Sequence, residues 1–368
     1  MDRLLGVINL DKERDFLNEL TYFRCGASVP FAGRYRLIDF TLANMINSGI
    51  IEIAVFVNQK YRSLLDHLKE PRRWNLDRKK GGLFILPPDW HDPNDVSVGD
   101  LRHFHNNMDF FQRGRAGNVV HCGSQHLCRI DFRDVYKKHL EKDADVTLVY
   151  KEVDKVKKEH KNCMRLDIDS RGKVLSINNK LDNKNIYMEI FIIKKDLLMN
   201  LVKDCIAYQK GYFFGDGIVA NLDRLKVYAY PYQGYHGVVD SVENYYKNNM
   251  KLLNKKNYID LFDKYTLLPT KVKDDAPARY VDTASVTNSI IADGCIIEGK
   301  VKNSIIFRNV HINKGSEVED SVIMNLSNIG KRVSLKNVIL DKRVYISEGQ
   351  RLAGSWNKPY VIAKRQSI

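Results

Sequence analysis

Residues Leu17–Ile50 read LNELTYFRCGASVPFAGRYRLIDFTLANMINSGI. The first half is turn-rich and basic, centred on Ser28-Val-Pro-Phe-Ala-Gly-Arg-Tyr-Arg36. Leu37-Ile-Asp-Phe then leads into a helical run that ends at Gly49. Ahead of it Leu4–Leu10 is a short apolar stretch, and behind it Ile53–Asn58 (IAVFVN) is another; both predict buried strands. Strand, loop, helix and strand make a βαβ unit, and such units bind ligands at the carboxyl ends of their strands.

This stretch resembles the sugar-phosphate nucleotidyltransferases, in particular the bacterial glucose-1-phosphate adenylyltransferases. Their pattern here is L-x-x-L-T-x-x-R-A-K-P-A-V-x-F-G-G-(K/R)-(Y/F)-R-(I/L)-I-D-F, followed by L-x-N-x-x-N-S-G-I. The chain carries Leu17, Leu20, Thr21, Arg24, Val29, Phe31, Gly33, Arg34, Tyr35, Arg36, Leu37, Ile38, Asp39 and Phe40 of it. Leu42, Asn44, Asn47, Ser48, Gly49 and Ile50 continue the match. The resemblance implies an α/β fold: a Rossmann-like, GT-A-like domain with a mixed, mostly parallel sheet, then a C-terminal left-handed parallel β-helix of hexapeptide repeats.

The departures fall on ligand positions. The family cradles nucleotide phosphates on Ala-Gly-Gly-x-Gly-x-Arg-Leu, where glycines let backbone N–H groups approach the phosphates. Counting back from Leu17, those glycines become Asp11, Lys12 and Arg14, and the loop arginine becomes Phe16. The lysine and proline that follow Arg24 and one further residue become Gly26 and Ala27. Gly99-Asp-Leu-Arg-His-Phe-His stands where the family reads the base with Gly-Thr-Ala-Asp-Ala, and only Gly99 survives. His103 and His105 could be ligands on one strand face, but are read there as solvent-facing or capping residues.

The family binds its catalytic magnesium through the aspartate of Gly-Asp-His and a second aspartate in Trp-Arg-Asp-Val-Gly-Thr. Aligned on His126, the first is Gln125, and the second falls on Val238. A neutral amide is a poor substitute for a hard anionic ligand to magnesium. On the sugar side, Lys180 remains but its neighbouring carboxylate is Asn179, and Glu189 replaces a glycine. Lys180, Asn179, Gly99 and His126 are thus expected as a substrate-like remnant. No metal or other cofactor is expected on this chain, magnesium being left to a catalytic partner.

Composition sets wider bounds. With 368 residues and 44% hydrophobic content the chain can bury the cores of two domains. No apolar run is long enough for a membrane span. Met1 leads directly into the first strand, so no signal peptide is expected. Cys25, Cys122, Cys128, Cys163, Cys205 and Cys295 lack CxxC spacing and fit reduced thiols in a cytoplasm. The net charge of +14 is spread along the chain without an RNA-binding signature, which favours anionic metabolites or an acidic partner over nucleic acid. Tyr61–Lys69 reads as a helix, and residues 70–98 as a Pro-, Gly- and charge-rich loop.

From Pro277 the grammar changes. Ser289-Ile-Ile, Asn303-Ser304-Ile-Ile, Asp320-Ser321-Val-Ile and Lys336-Asn337-Val-Ile recur at spacings of 15, 17 and 16 residues, counted at 289, 304, 321 and 337. Short β-branched runs closed by Gly or Asn turns read as stacked coils, about four of them, capped by Arg351–Ile368. An acyltransferase would want a catalytic histidine, and His311 alone stands in the repeats. The domains expected are 1–250 (nucleotidyltransferase-like, with a degenerate site), a linker at 251–276, and the β-helix at 277–368.

The pattern of losses is most similar to the GlgD-type branch, the non-catalytic partner in family members built from two kinds of chain. The resemblance implies a regulatory subunit supporting ADP-glucose synthesis for glycogen, in a heterotetramer with a catalytic subunit. It also implies an effector site for a phosphorylated metabolite, on Arg34 and Arg36 with Lys364 and Arg365 of the tail. One rival is a working nucleotidyltransferase whose metal site is rebuilt from Asp11, Asp100 or Asp240. Another is a non-enzymatic scaffold resembling translation-factor exchange subunits.

Overall fold

The computed structural model describes residues 4–11, 16–78, 81–87, 98–262 and 268–368. In chain order the first elements are β1 (Leu4–Asn9), β2 (Pro30–Phe31), β3 (Tyr35–Arg36), α1 (Leu37–Asn47), β4 (Glu52–Phe56), α2 (Arg62–Leu68) and β5 (Gly82–Leu86). Then come α3 (Leu101–Asn106), α4 (Met108–Arg113), β6 (Asn118–Cys122), β7 (His126–Leu127), α5 (Phe132–Glu141) and β8 (Val146–Glu152). β9 (Arg165–Ile168), β10 (Val174–Asn178), β11 (Asn185–Lys194), α6 (Lys195–Ala207), β12 (Val227–Pro231), β13 (Gly237–Val238), α7 (Val242–Lys251) and α8 (Lys255–Leu261) follow.

Two compact units result. The first comprises 1–14, 40–61 and 68–236, and the second 15–39, 62–67 and 237–368. In the first, nine strands among the described residues form one sheet, ordered β10-β9-β11-β6-β1-β4-β5, with β8 on β11 and β12 on β8. β10 and β11 run against the other strands, so the sheet is mixed and mostly parallel, as expected. β1 (LLGVIN) is buried along its whole length between β6 and β4, which is why it reads as a continuous apolar run. Leu5, Val7, Phe56, Phe104, Phe111 and Phe191 belong to the core against this sheet.

The second unit is a left-handed parallel β-helix joined by segments from earlier in the chain. Among the described residues each of its three faces carries five stacked strands, one more coil than the repeat count suggested. The turn residues before four strands of one face are Asn288, Asn303, Asp320 and Asn337, all in the left-handed region at φ 44–53°. Asn and Asp tolerate that conformation better than other residues with a β carbon, which explains the repeat. The serine after each turn builds a ladder: Ser304 N donates to Ser289 Oγ, Ser321 N to Ser304 Oγ and Val338 N to Ser321 Oγ, all at 3.1 Å. The true steps are therefore 15, 17 and 17 residues, since Val338 rather than Asn337 takes the fourth serine position.

Sequence placed the domain boundary near 250; in the structure the first unit ends at His236. α7 goes with the β-helix because Tyr246 Oη donates to Asp320 O and accepts from Asn337 Nδ2. Tyr245 Oη donates to Pro30 O, and Ala32 N donates to Asn249 Oδ1, which attaches the β2–β3 hairpin to the same unit. Gly33 turns that hairpin at φ +81°, and its bare α carbon faces Ile290 of the β-helix. The stretch expected as a linker holds α8.

Candidate functional site

The first unit has a cleft at the carboxyl ends of β1 and β6, where α/β sheets hold their ligands. Its empty volume is ≈ 440 Å³, which includes open solvent at its mouth. Asn9, His121, Ser124, Gln125 and Glu189 supply its polar lining, and Tyr187, Phe191 and Phe214 its aromatic wall. Burial pushes the Tyr187 hydroxyl well above the usual tyrosine range, and the neighbouring Glu189 charge adds to the rise.

Asp11, at the first lost glycine, turns toward the protein: its Oδ1 accepts from Asn58 Nδ2 at 2.7 Å and from His103 Nε2 at 3.0 Å. His103 is buried on helix α3 and stacks on Phe56 at 5.6 Å, so its solvent-facing reading is corrected, and the segment is a helix rather than the strand face a ligand pair would need. His105, on the same helix, is exposed, as expected. Lys12 and Arg14 lie outside the described residues. Phe16 is half-buried, and Gly26 is a buried residue of the tight turn Gly26–Ser28, whose carbonyl accepts from Val29 N. Gly99 is retained for packing: at φ +59°, a side chain there would run into the Gly211 carbonyl.

Gln125 is in the cleft, and Val238 is buried and apolar. An amide and a hydrocarbon do not fit a catalytic magnesium ion, which requires hard oxygen anions. The carboxylates offered as replacements are engaged elsewhere. Asp100 Oδ1 accepts from Phe213 N at 2.8 Å and Asp240 Oδ1 from Asn244 Nδ2 at 2.5 Å, while Asp11 is held as described. Among the described residues no three His, Cys, Asp or Glu side chains converge as metal ligands.

Of the expected sugar-side remnant, Asn179 and Lys180 are exposed beyond β10 and do not line the cleft. His126 shares a 2.9 Å hydrogen bond with His236, the two rings lying nearly parallel at 5.1 Å.

The second unit gathers cations. Arg24 is ion-paired with Asp341, and both are buried. Arg36 Nη1 donates to Ser63 O at 2.6 Å and to Ser63 Oγ at 3.1 Å. Burial, opposed by Asp39 and assisted by Arg24, lowers Arg36 to about 10. Lys342 is held well below the ordinary lysine value, first by burial and then by Arg36 and Arg24. Lys364 is lowered by burial and by the charges of Arg24 and Arg365. Arg365 N donates to Lys342 O at 3.1 Å, which fixes the tail beside it.

Arg36, Lys364 and Arg365 of the expected effector site therefore come together, joined by Arg24 and Lys342. Arg34 is separate: it is exposed, lies 5.6 Å over the Tyr35 ring, and interacts with Arg308. Asp39 is not a guanidinium partner. Its carboxylate accepts from Arg36 N at 3.0 Å, His67 Nε2 at 2.6 Å and Thr270 Oγ1 at 2.7 Å. Arg24 stood in the matched motif without a role, and Lys342 had no local signal beyond Asp341-Lys-Arg343.

Residues 17–255 match the model of the nucleotidyl transferase family, and residues 269–355 that of the GlmU-like C-terminal hexapeptide. Over 365 residues the chain is 35% identical to the glycogen biosynthesis protein GlgD of Bacillus subtilis (strain 168), covering 99% of this chain and 96% of that protein. The GlgD of Geobacillus stearothermophilus is 36% identical over 342 residues, covering 86% and 83%. A glucose-1-phosphate adenylyltransferase of Bacillus cytotoxicus is 29% identical over 361 residues, covering 96% and 95%. Among the described residues no helix is long and apolar enough to cross a membrane.

Proposed function

The chain belongs to the nucleotidyl transferase family, on its GlgD branch, and we propose that it is a non-catalytic, regulatory subunit acting in glycogen biosynthesis. Its partner is a catalytic glucose-1-phosphate adenylyltransferase chain, in a cytoplasmic heterotetramer. The observation that carries the reading is the pair Gln125 and Val238 at the positions that hold magnesium in working members of the family. In those enzymes the metal stabilises charge on the triphosphate during attack by the sugar phosphate.

What this chain contributes instead is an anion site on Arg24, Arg36, Lys342, Lys364 and Arg365. Arginine's planar fork suits phosphate oxygens, and a bound phosphorylated metabolite would relieve the mutual repulsion of these cations. The test is an ADP-glucose assay of the chain alone and mixed with a catalytic homologue. The chain alone is expected to fall far below the ~1–1,000 per second of ordinary enzymes, and to alter the effector response of the mixture. Ordinary turnover by the isolated chain would overturn the reading.

A further inference from the structure

We propose that Glu189 closes the cleft of the first unit to phosphorylated ligands, by its charge as well as by its bulk. β11 pairs with β8 in regular register up to Tyr187 and again from Ile190, and the register shifts between them. Such a bulge re-aims the side chain it carries. Glu189 sits in it at φ 54°, a conformation that glycine takes freely and glutamate does not. A strained glutamate at a bulge that faces a ligand cleft is a feature to be explained by what it does there.

The side chain lines the cleft beside Asn9, Ser124 and Gln125. Its Oε2 reaches to 3.7 Å from the point where a β carbon on Gly123 would stand, so it closes against the loop after β6. Among the described residues the lining contains no lysine or arginine, and its other titratable groups are His121 and Tyr187. A phosphate entering the cleft therefore meets the Glu189 carboxylate, with no lysine or arginine of the described lining to offset it. Low effective dielectric there makes the repulsion stronger than in water. Removing the charge while keeping the size separates this effect from simple blockage.

The proposal rests on the preceding reading only for its choice of probe. Glucose 1-phosphate, with uncharged glucose as control, is titrated calorimetrically into the full chain carrying Arg36→Ala and Lys364→Ala. Those changes weaken the second unit's anion site, so the cleft is what is read. The same background is then tested with Glu189→Gln and with Glu189→Gly. Both are expected to bind glucose 1-phosphate at least about tenfold more tightly than the background, with a smaller gain for glucose in the glutamine variant. The glycine variant is also expected to melt no lower than the background, because its backbone strain is relieved. No gain in Glu189→Gln overturns the proposal whatever the glycine variant does. An equal gain for glucose overturns it too, since charge would then not be the cause.

Discussion

Replacing Asp341 by asparagine removes the carboxylate that opposes the second unit's cations. Asp341 is 0% exposed and its partner Arg24 3% exposed, and Asp341 Oδ1 also accepts from Lys342 N at 2.6 Å. Breaking one side of a buried ion pair costs about 3–5 kcal/mol, because the other charge is left buried and uncompensated. Asparagine keeps an acceptor, so the loss is expected near 3 kcal/mol, measured by urea unfolding in low-salt chloride. If the cluster is an anion site, phosphate should replace part of what was lost. A ligand at a hundred times its Kd stabilises by about 2.7 kcal/mol. The assay repeats the unfolding with millimolar phosphate at constant ionic strength, which holds general screening fixed. The variant should then recover more stability than the parent protein gains. A loss under about 1 kcal/mol, or an equal phosphate response in both proteins, would refute the argument.

Two further outcomes are expected. His139, buried between Thr147 Oγ1 and Asn118 Oδ1, is lowered to about 4 by burial and then by the nearby Lys194 charge. Its contribution is therefore fully present above about pH 6.5 and is lost as pH falls toward 4, amounting to roughly 3 kcal/mol at 1.36 per unit. His139→Gln should flatten this part of the pH–stability curve, and an unchanged curve would contradict it. Ser321→Ala, fully buried in the serine ladder, removes the acceptor of Val338 N and should lower stability by about 1–3 kcal/mol. A calorimetric melting temperature equal to the parent's would show that the ladder carries no stability.

Much of this molecule is visible in short stretches of sequence. β1 and β4 are read from apolar runs because strands buried on both faces have no polar alternation. The β-helix is read from its period, because each coil repeats one steric problem, a left-handed turn followed by a serine with backbone partners. The lost magnesium ligands are visible as residue types alone. What stays hidden depends on distant partners. Nothing near His103 says that Asp11 will turn back toward it, and the helical turn around it lacks a long apolar period. Lys342 becomes a member of the cation cluster only because Arg24 and Arg36 fold against the coil that carries it. Sequence could likewise not tell Arg34 from Arg36, which are neighbours in the chain but are directed to different surroundings.

The composition of the second unit also sets a schedule for its making. Arg24 and Asp341 are 317 residues apart, and the β2–β3 hairpin waits for α7 and the coils in the same way. At a synthesis rate of about 5–20 residues per second, the basic segment emerges roughly 15–65 seconds before its buried carboxylate exists. During that interval Arg24 and its neighbours are a cationic loop without a home on the nascent chain. The C-terminal coils then do not fold as an independent afterthought; they close a unit whose first pieces were made at the start. Truncation late in the chain should therefore be felt near residue 24, long before the break.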